Sequence, residues 1–328
     1  MDIRDLKEYL GEDWVTVRKC ISDSLDSDIS LLNSTNESIL SNSGKQLRPL
    51  LSLVMARACS GGTPAGEATV RYAAASELLH NATLLHDDVA DDSDQRRGVP
   101  TIRSLMGPSV SVLVGDYWLV KAMELILGEA GSDIKVIRIF SKTLSDLAEG
   151  EMLQLQKAQS GDTDEDDYLR IIYNKTASLF EAACVSAAVS VGASPERQAA
   201  ARDYAVALGL AFQIKDDILD YAGTSSVGKP LGVDILEQKI TIPLLGALAS
   251  ASADEESLVR SKVRDIAAHP EYRDEIVEFV KAKGGLDYAV SRLEEYVRKA
   301  SEALDVLPDS KEKTFLKELA VFTAMREM

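Results

Sequence analysis

Apolar positions recur along this chain with a helical period, in runs at 50–58, 70–85, 110–127, 134–155, 168–191, 198–221, 240–249 and 288–304. Residues at i, i+3, i+4 and i+7 share one face of a helix, so each run predicts an amphipathic or buried helix. The intervals between runs carry Gly, Pro and Ser, as in Ser60-Gly61-Gly62-Thr63-Pro64, Gly107-Pro108-Ser109, Gly192-Ala193-Ser194-Pro195 and residues 223–232. No segment alternates apolar and polar residues for long enough to build a substantial sheet. No linker is long or low in complexity enough to mark a boundary. The pattern predicts one all-α domain over residues 1–328, a large bundle of ten or more helices.

Two of these runs end in the same polar signature. Asp87-Asp88-Val89-Ala90-Asp91 follows the stretch 77–86, and Asp216-Asp217-Ile218-Leu219-Asp220 follows 205–214. Both read D-D-x-x-D, which sets Asp87 with Asp91, and Asp216 with Asp220, on one helical face. Like charges at that spacing repel by about 0.2–0.5 kcal/mol when solvated, and by more when partly buried. A single copy is compatible with a solvated acidic face. Two copies, each emerging from a largely apolar helix, point to a cation between the carboxylates. Mg²⁺ suits the role, since it takes one or two carboxylates, keeps water, and completes its shell with phosphate oxygens. The repetition hints at an old duplication, although the flanks differ too much to define a repeat.

Cationic residues near the clusters extend the pattern toward diphosphate recognition. Lys45 and Arg48 stand at the entrance of the 50–58 run, where unsatisfied amides favour anions. Arg96 and Arg97 follow the first cluster, and Lys175-Thr176 lie inside a helical run. Lys229 falls in the Gly-rich loop after the second cluster, and Lys239 at the head of the next helix. Arginine offers planar, bidentate contacts to phosphate and lysine a point charge. The equally acidic run Asp162-Thr163-Asp164-Glu165-Asp166-Asp167 does not take the D-D-x-x-D form. It reads as a helix start, with Thr163 capping toward Asp166 and the acids meeting the positive end of the helix dipole.

Composition narrows the class. The 36 basic and 53 acidic residues give a net charge of −17, without a basic stripe, so a nucleic-acid partner is not expected. Aromatic residues make up only 5% of the chain, which suits helices better than a sandwich. Cys20, Cys59 and Cys184 are odd in number and widely spaced, as buried thiols in a reducing compartment would be. The first residues are charged throughout, unlike a secretory signal, and no stretch is long and apolar enough to span a bilayer. A cytoplasmic protein is expected.

At this point the chain resembles the trans-isoprenyl diphosphate synthases of the polyprenyl synthetase family. Ordered motifs carry the resemblance: GKQLRP (44–49), ELLHNATLLHDDVADDSDQRRG (77–98), GDYW (115–118), AEGEMLQ (148–154), KTA (175–177), FQIKDDILDY (212–221) and GKPLGVDILEQKITIP (228–243). Residues 1–39 and 250–328 match only in helical character. The resemblance implies a helical bundle with a central cavity, usually homodimeric, that joins an allylic diphosphate to isopentenyl diphosphate. It implies about three Mg²⁺ ions, whose six positive charges would balance the six aspartates. Asp87, Asp91 and Asp216 would be the chief ligands, with Asp88, Asp217 and Asp220 as direct or water-mediated supports. Lys45, Arg48, His80 and Arg97 would hold isopentenyl diphosphate. Arg96, Lys175, Thr176, Gln213, Lys229 and Lys239 would hold the allylic diphosphate. His86 would pack or orient.

Product length follows from helical geometry combined with the same resemblance. Ala82 and Thr83 lie one turn before Asp87, where bulky aromatics in this family close the pocket. Both are small here, so a growing chain would pass that level toward a deeper floor, for which Met123 is a candidate. A long-chain product of six or more isoprene units is expected, with a farnesyl- or geranylgeranyl-length product as the alternative. A class I terpene cyclase would lack the second cluster and the GKxxRP segment. A nucleotide phosphohydrolase would need more histidines than His80, His86 and His269. A regulatory subunit of a heteromeric synthase would typically lose a cluster or the cationic positions.

Overall fold

The computed structural model describes residues 3–42, 44–96, 98–128, 133–222 and 232–325. Helices account for nearly all of the regular structure, as the apolar periodicity dictates. In chain order they are α1 (Ile3–Leu10), α2 (Glu12–Ser24), α3 (Ser30–Ser41), α4 (Leu47–Ser60), α5 (Glu67–Ala90), α6 (Ile102–Met106), α7 (Pro108–Leu127), α8 (Ile134–Ser160), α9 (Glu165–Ile172), α10 (Ser178–Ser190) and α11 (Pro195–Ala222). They continue with α12 (Val233–Leu236), α13 (Ile242–Ala249), α14 (Ala253–Arg264), α15 (Tyr272–Ala282), α16 (Gly285–Ala303) and α17 (Lys311–Met325). The only strands among the described residues are β1 (Gln95–Arg96) and β2 (Val99–Pro100), an antiparallel pair too short to leave an alternating signature.

The chain forms two compact units. The first comprises Met1–Ser141, Ala182–Ala201 and Val306–Leu316, and the second Lys142–Glu181, Arg202–Asp305 and Lys317–Met328.

In the first unit, α5 packs along α7 and also meets α4 and α2. Its core includes Leu50, Leu53, Val54, Leu78, Leu79 and Trp118, all fully buried. Burying an indole requires a partner for its N–H, and Trp118 Nε1 donates to Asn36 Oδ1 at 2.8 Å. Arg57 ties α4 to the N-terminal helices through Asp13 at 2.6 Å and the carbonyl of Leu10.

In the second unit the core helix is α13, in which every residue from Ile242 to Leu248 is buried. A helix apolar on all sides must be covered all round; α16, α15 and α9 pack against it.

The structure corrects three local expectations. The 168–191 run is not one regular helix: α9 and α10 are separated by a π-helical turn, Tyr173–Ala177, which contains Lys175 and Thr176. The cap of α9 is Asp164 rather than Thr163. Asp164 accepts from the Asp167 amide at 2.8 Å in a complete capping box, whereas Thr163 is buried. Aspartate caps at least as well as threonine, and one residue of shift buries the threonine methyl. The 198–221 run starts earlier, at Pro195, since proline fits the first helical turn.

Candidate active site

Both aspartate clusters sit at the C-terminal ends of long helices. Asp87 and Asp88 lie in the last turn of α5, with Asp91 as its C-cap, and Asp216, Asp217 and Asp220 occupy the last two turns of α11. This is the negative end of the helix dipole, and neither helix has a basic residue in its last turn. The carboxylates therefore oppose both one another and the helix that carries them, and a cation would relieve both conflicts.

Within each triplet the middle aspartate differs from its neighbours. Asp88 is buried and accepts from Arg96 Nε at 2.8 Å; β1 and β2 fold Arg96 back onto it. Asp87 is half-buried and Asp91 exposed. Asp217 is likewise buried, with both oxygens occupied: Tyr168 donates to Oδ2 at 2.6 Å and Gln213 Nε2 to Oδ1 at 2.9 Å. Asp220 accepts from the backbone amides of Val233 and Asp234 at 3.1 and 3.2 Å, which caps α12. Asp88, Asp217 and Asp220 thus hold the local structure together.

Burial pushes the Asp217 carboxyl well above the usual carboxylate range, with the Asp234 charge adding to it. Asp234 is pushed up to about 7 by burial and by Asp220 beside it.

Among the described residues no group of three or more His, Cys, Asp or Glu side chains converges as a closed metal cage. A Mg²⁺ that takes one or two carboxylates and fills its shell with phosphate and water needs no such cage. Hard oxygen donors in i,i+4 pairs at two dipole-negative helix ends fit that ion.

Of the cationic residues in the first unit, Lys45 and Arg48 flank Gln46, whose left-handed backbone (φ 57°, ψ 50°) begins α4. His80 is half-buried, two turns before Asp87 on α5. His86 packs on Gly115 of α7, with Nε2 3.2 Å from Asp116 Oδ1, so the GDYW segment has a packing role. Arg97 and Lys229 lie outside the described residues.

In the second unit, Lys175 Nζ is held by Glu151 at 2.7 Å and Gln154 at 2.9 Å, both on one face of α8. Gly150 and Gly209 make room for the π turn. A Cβ at Gly150 would lie 2.9 Å from Lys175 Cγ, and one at Gly209 would lie 2.5 Å from Ala177 Cα. Thr176 Oγ1 donates to Gln213 Oε1 at 3.0 Å. Lys239 pairs with Glu237. A cavity of about 160 Å³ brings together Lys175, Gln213, Asp217 and Lys239, along with Tyr168 and Asp234.

Sequence reasoning assigned no role to Glu151, Gln154, Tyr168 or Asp234. The i,i+3 spacing of Glu151 and Gln154 was the available signal for the first two. Tyr168 was hidden behind the acidic run at the start of its helix.

Ala82 is buried and Thr83 half-buried on α5. Helix α7 runs antiparallel to α5: Ser111 Oγ donates to the Leu85 carbonyl and Arg71 to that of Leu125. That register places Met123 two to three turns beyond Thr83, on the order of 12–15 Å from its level.

The polyprenyl synthetase family model matches residues 29–280. The chain belongs to the polyprenyl synthetase family. It is a prenyltransferase, and its relatives cover it end to end. The octaprenyl diphosphate synthase of Escherichia coli (strain K12) is 37% identical over 100% of both chains. An all-trans-nonaprenyl-diphosphate synthase (geranyl-diphosphate specific) of Rhodobacter capsulatus is 35% identical over 94% of this chain and 93% of its own. Among solved structures, a decaprenyl diphosphate synthase from Rhodobacter capsulatus superposes with a TM-score of 0.91 at 35% identity, covering 99% of this chain and 100% of that one. A polyprenyl synthase from Caulobacter crescentus CB15, solved with calcium and isoprenyl diphosphate, does so with a TM-score of 0.89 at 35% identity over 99% and 98%. The polyprenyl synthetase fold accounts for the all-α architecture.

Proposed function

We propose that this prenyltransferase extends an allylic diphosphate, such as farnesyl or geranylgeranyl diphosphate, with successive isopentenyl diphosphates to a long-chain all-trans polyprenyl diphosphate. The observation that carries the length is the pair of small side chains, Ala82 and Thr83, one turn before Asp87 on α5. Thr83 is the half-buried member and leaves a growing chain free to pass, while Met123 lies deep enough to act as a floor. Relatives named as octaprenyl and nonaprenyl synthases support the same reading. One relative favours the short-chain alternative: a short chain isoprenyl diphosphate synthase of Methanothermobacter thermautotrophicus is 34% identical over 100% of this chain and 99% of its own.

In this reading Asp87, Asp91 and Asp216 are the principal oxygen donors to about three Mg²⁺ ions, with Asp88, Asp217 and Asp220 supporting them. A bound divalent cation supplies charge to offset the diphosphate oxygens as the allylic C–O bond breaks. Lys175, Lys239 and Arg96, with Lys229, meet the departing diphosphate, and Thr176 and Gln213 help to hold it. Lys45, Arg48 and His80, with Arg97, hold isopentenyl diphosphate so that its double bond faces the allylic carbon. The new C–C bond forms there, and the proton lost from the adduct goes to the released diphosphate, since no well-placed protein base presents itself among the described residues.

Leu113, Val120 and Leu127 stand exposed at seven-residue intervals on α7, a stripe that supports a homodimer. None of the described helices is long and apolar enough to cross a membrane. With three free cysteines, this supports a cytoplasmic setting.

Incubation with Mg²⁺, labelled isopentenyl diphosphate and farnesyl diphosphate should give a product ladder reaching six or more isoprene units. Thr83→Phe should stop that ladder early. A wild-type ladder that ends at four units would establish the short-chain alternative.

A further inference from the structure

Both oxygens of Asp217 accept hydrogen bonds from inside the protein. Its partners form a closed circuit. Tyr168 of α9 donates to Oδ2 at 2.6 Å, and Gln213, one turn earlier on α11, donates through Nε2 to Oδ1 at 2.9 Å. Because the Gln213 amide donates through its nitrogen, its oxygen is turned the other way. That oxygen accepts from Thr176 Oγ1 at 3.0 Å. Thr176 belongs to the π turn that directly continues α9, so the covalent chain from Tyr168 to Thr176 closes the ring.

The Tyr168 end of the ring is rigidly mounted. The Asp164–Asp167 capping box starts α9, Lys157 pairs with Asp167 at 2.6 Å, and Arg292 pairs with Glu165 at 2.8 Å. The other end carries Lys175, the residue just before Thr176. A π turn lacks the regular i→i+4 ladder and is frequent at functional sites, and here side chains from α8 and α11 tie it in place.

We infer that Tyr168 is a positioning residue for the allylic-diphosphate site: through Asp217, Gln213 and Thr176 it fixes the register of the π turn and therefore the position of the Lys175 ammonium. The inference rests on the prenyl-transfer reading above. Thr176 and Gln213 then serve the diphosphate through this ring, and the donor hydrogen of Thr176 points inward.

The test uses the full chain with Tyr168→Phe, which keeps the ring volume and removes the hydroxyl, and with Thr176→Val, which opens the circuit at its far end. KM is measured for farnesyl diphosphate and for isopentenyl diphosphate. Affinity for the unreactive thiolo analogue of farnesyl diphosphate is measured by calorimetry, and unfolding temperature is recorded for each variant. Loss of a buried hydrogen bond predicts a rise of about tenfold in allylic KM and in analogue Kd, with the isopentenyl KM unchanged. The double variant should be no weaker than the worse single one, because one ring breaks only once. Equal losses for both substrates, or additive losses in the double variant, would make the ring merely structural and overturn the inference. Unchanged analogue affinity would overturn it as well. A wild type inactive with every primer would instead remove the prenyl-transfer reading, while calorimetry still decides whether the ring governs diphosphate binding.

Discussion

Gly115 and His86 show how a single missing methyl group shapes the first cluster. A Cβ on Gly115 would lie 2.4 Å from His86 Nε2, so the imidazole occupies the space a side chain on α7 would fill. Two effects compete in Gly115→Ala. The helix gains about 1 kcal/mol from replacing glycine, and overpacking costs about 1–3 kcal/mol unless the ring swings away. With His86 present the change should therefore be neutral or destabilising, and in a His86→Ala background it should stabilise. A double-mutant cycle in urea should give a coupling of at least about 1 kcal/mol. Additive effects would mean that the two residues do not share that space. The sequence placed His86 as a packing or orienting residue, and its ring position bears that out. It offered no way to see which aspartate of each triplet faces inward, because Asp88 and Asp217 are chosen by Arg96 and Tyr168, donors from other elements.

At the scale of elements, long helices with strong apolar periodicity were legible to within a turn or so, as α5, α7 and α11 illustrate. The π turn was not, because its i→i+5 bonds depend on what α8 and α11 press against it, and Gly150 and Gly209 supply that fit from distant parts of the sequence. Caps were legible in kind but not in position, as Asp164 and Thr163 show. A cap also provides a measurable pH dependence. Glu255 completes the capping box of α14 with Ser252 and pairs with Lys283 at 2.8 Å. Lys283 and the Ser252 amide hold its carboxyl down to about 2, from an ordinary 4.5. A depressed carboxyl stabilises the fold above its unfolded value and loses that contribution as pH falls through the folded value. The difference in unfolding temperature between wild type and Glu255→Gln should thus be full above pH 4.5 and shrink as pH falls toward 2. A difference that instead grew on acidification would contradict the sign.

For the whole molecule, the family match over residues 29–280 draws on both compact units, and each unit carries one aspartate cluster. The two helix ends also bear on how the protein withstands heat. With acids crowded at the negative poles of α5 and α11, the fold is built against its own interest wherever cations are scarce. Chelation should lower the unfolding temperature of the wild type, and millimolar Mg²⁺ should raise it before any substrate is added, as mass action requires of an ion that prefers the folded state. Asp87→Asn should reverse the ranking: more heat-stable than wild type in chelator, less responsive to Mg²⁺, and inactive in prenyl transfer. Durability and activity would then be drawn from the same carboxylates with opposite signs, and a screen for thermostable variants run without metal would select against the catalyst.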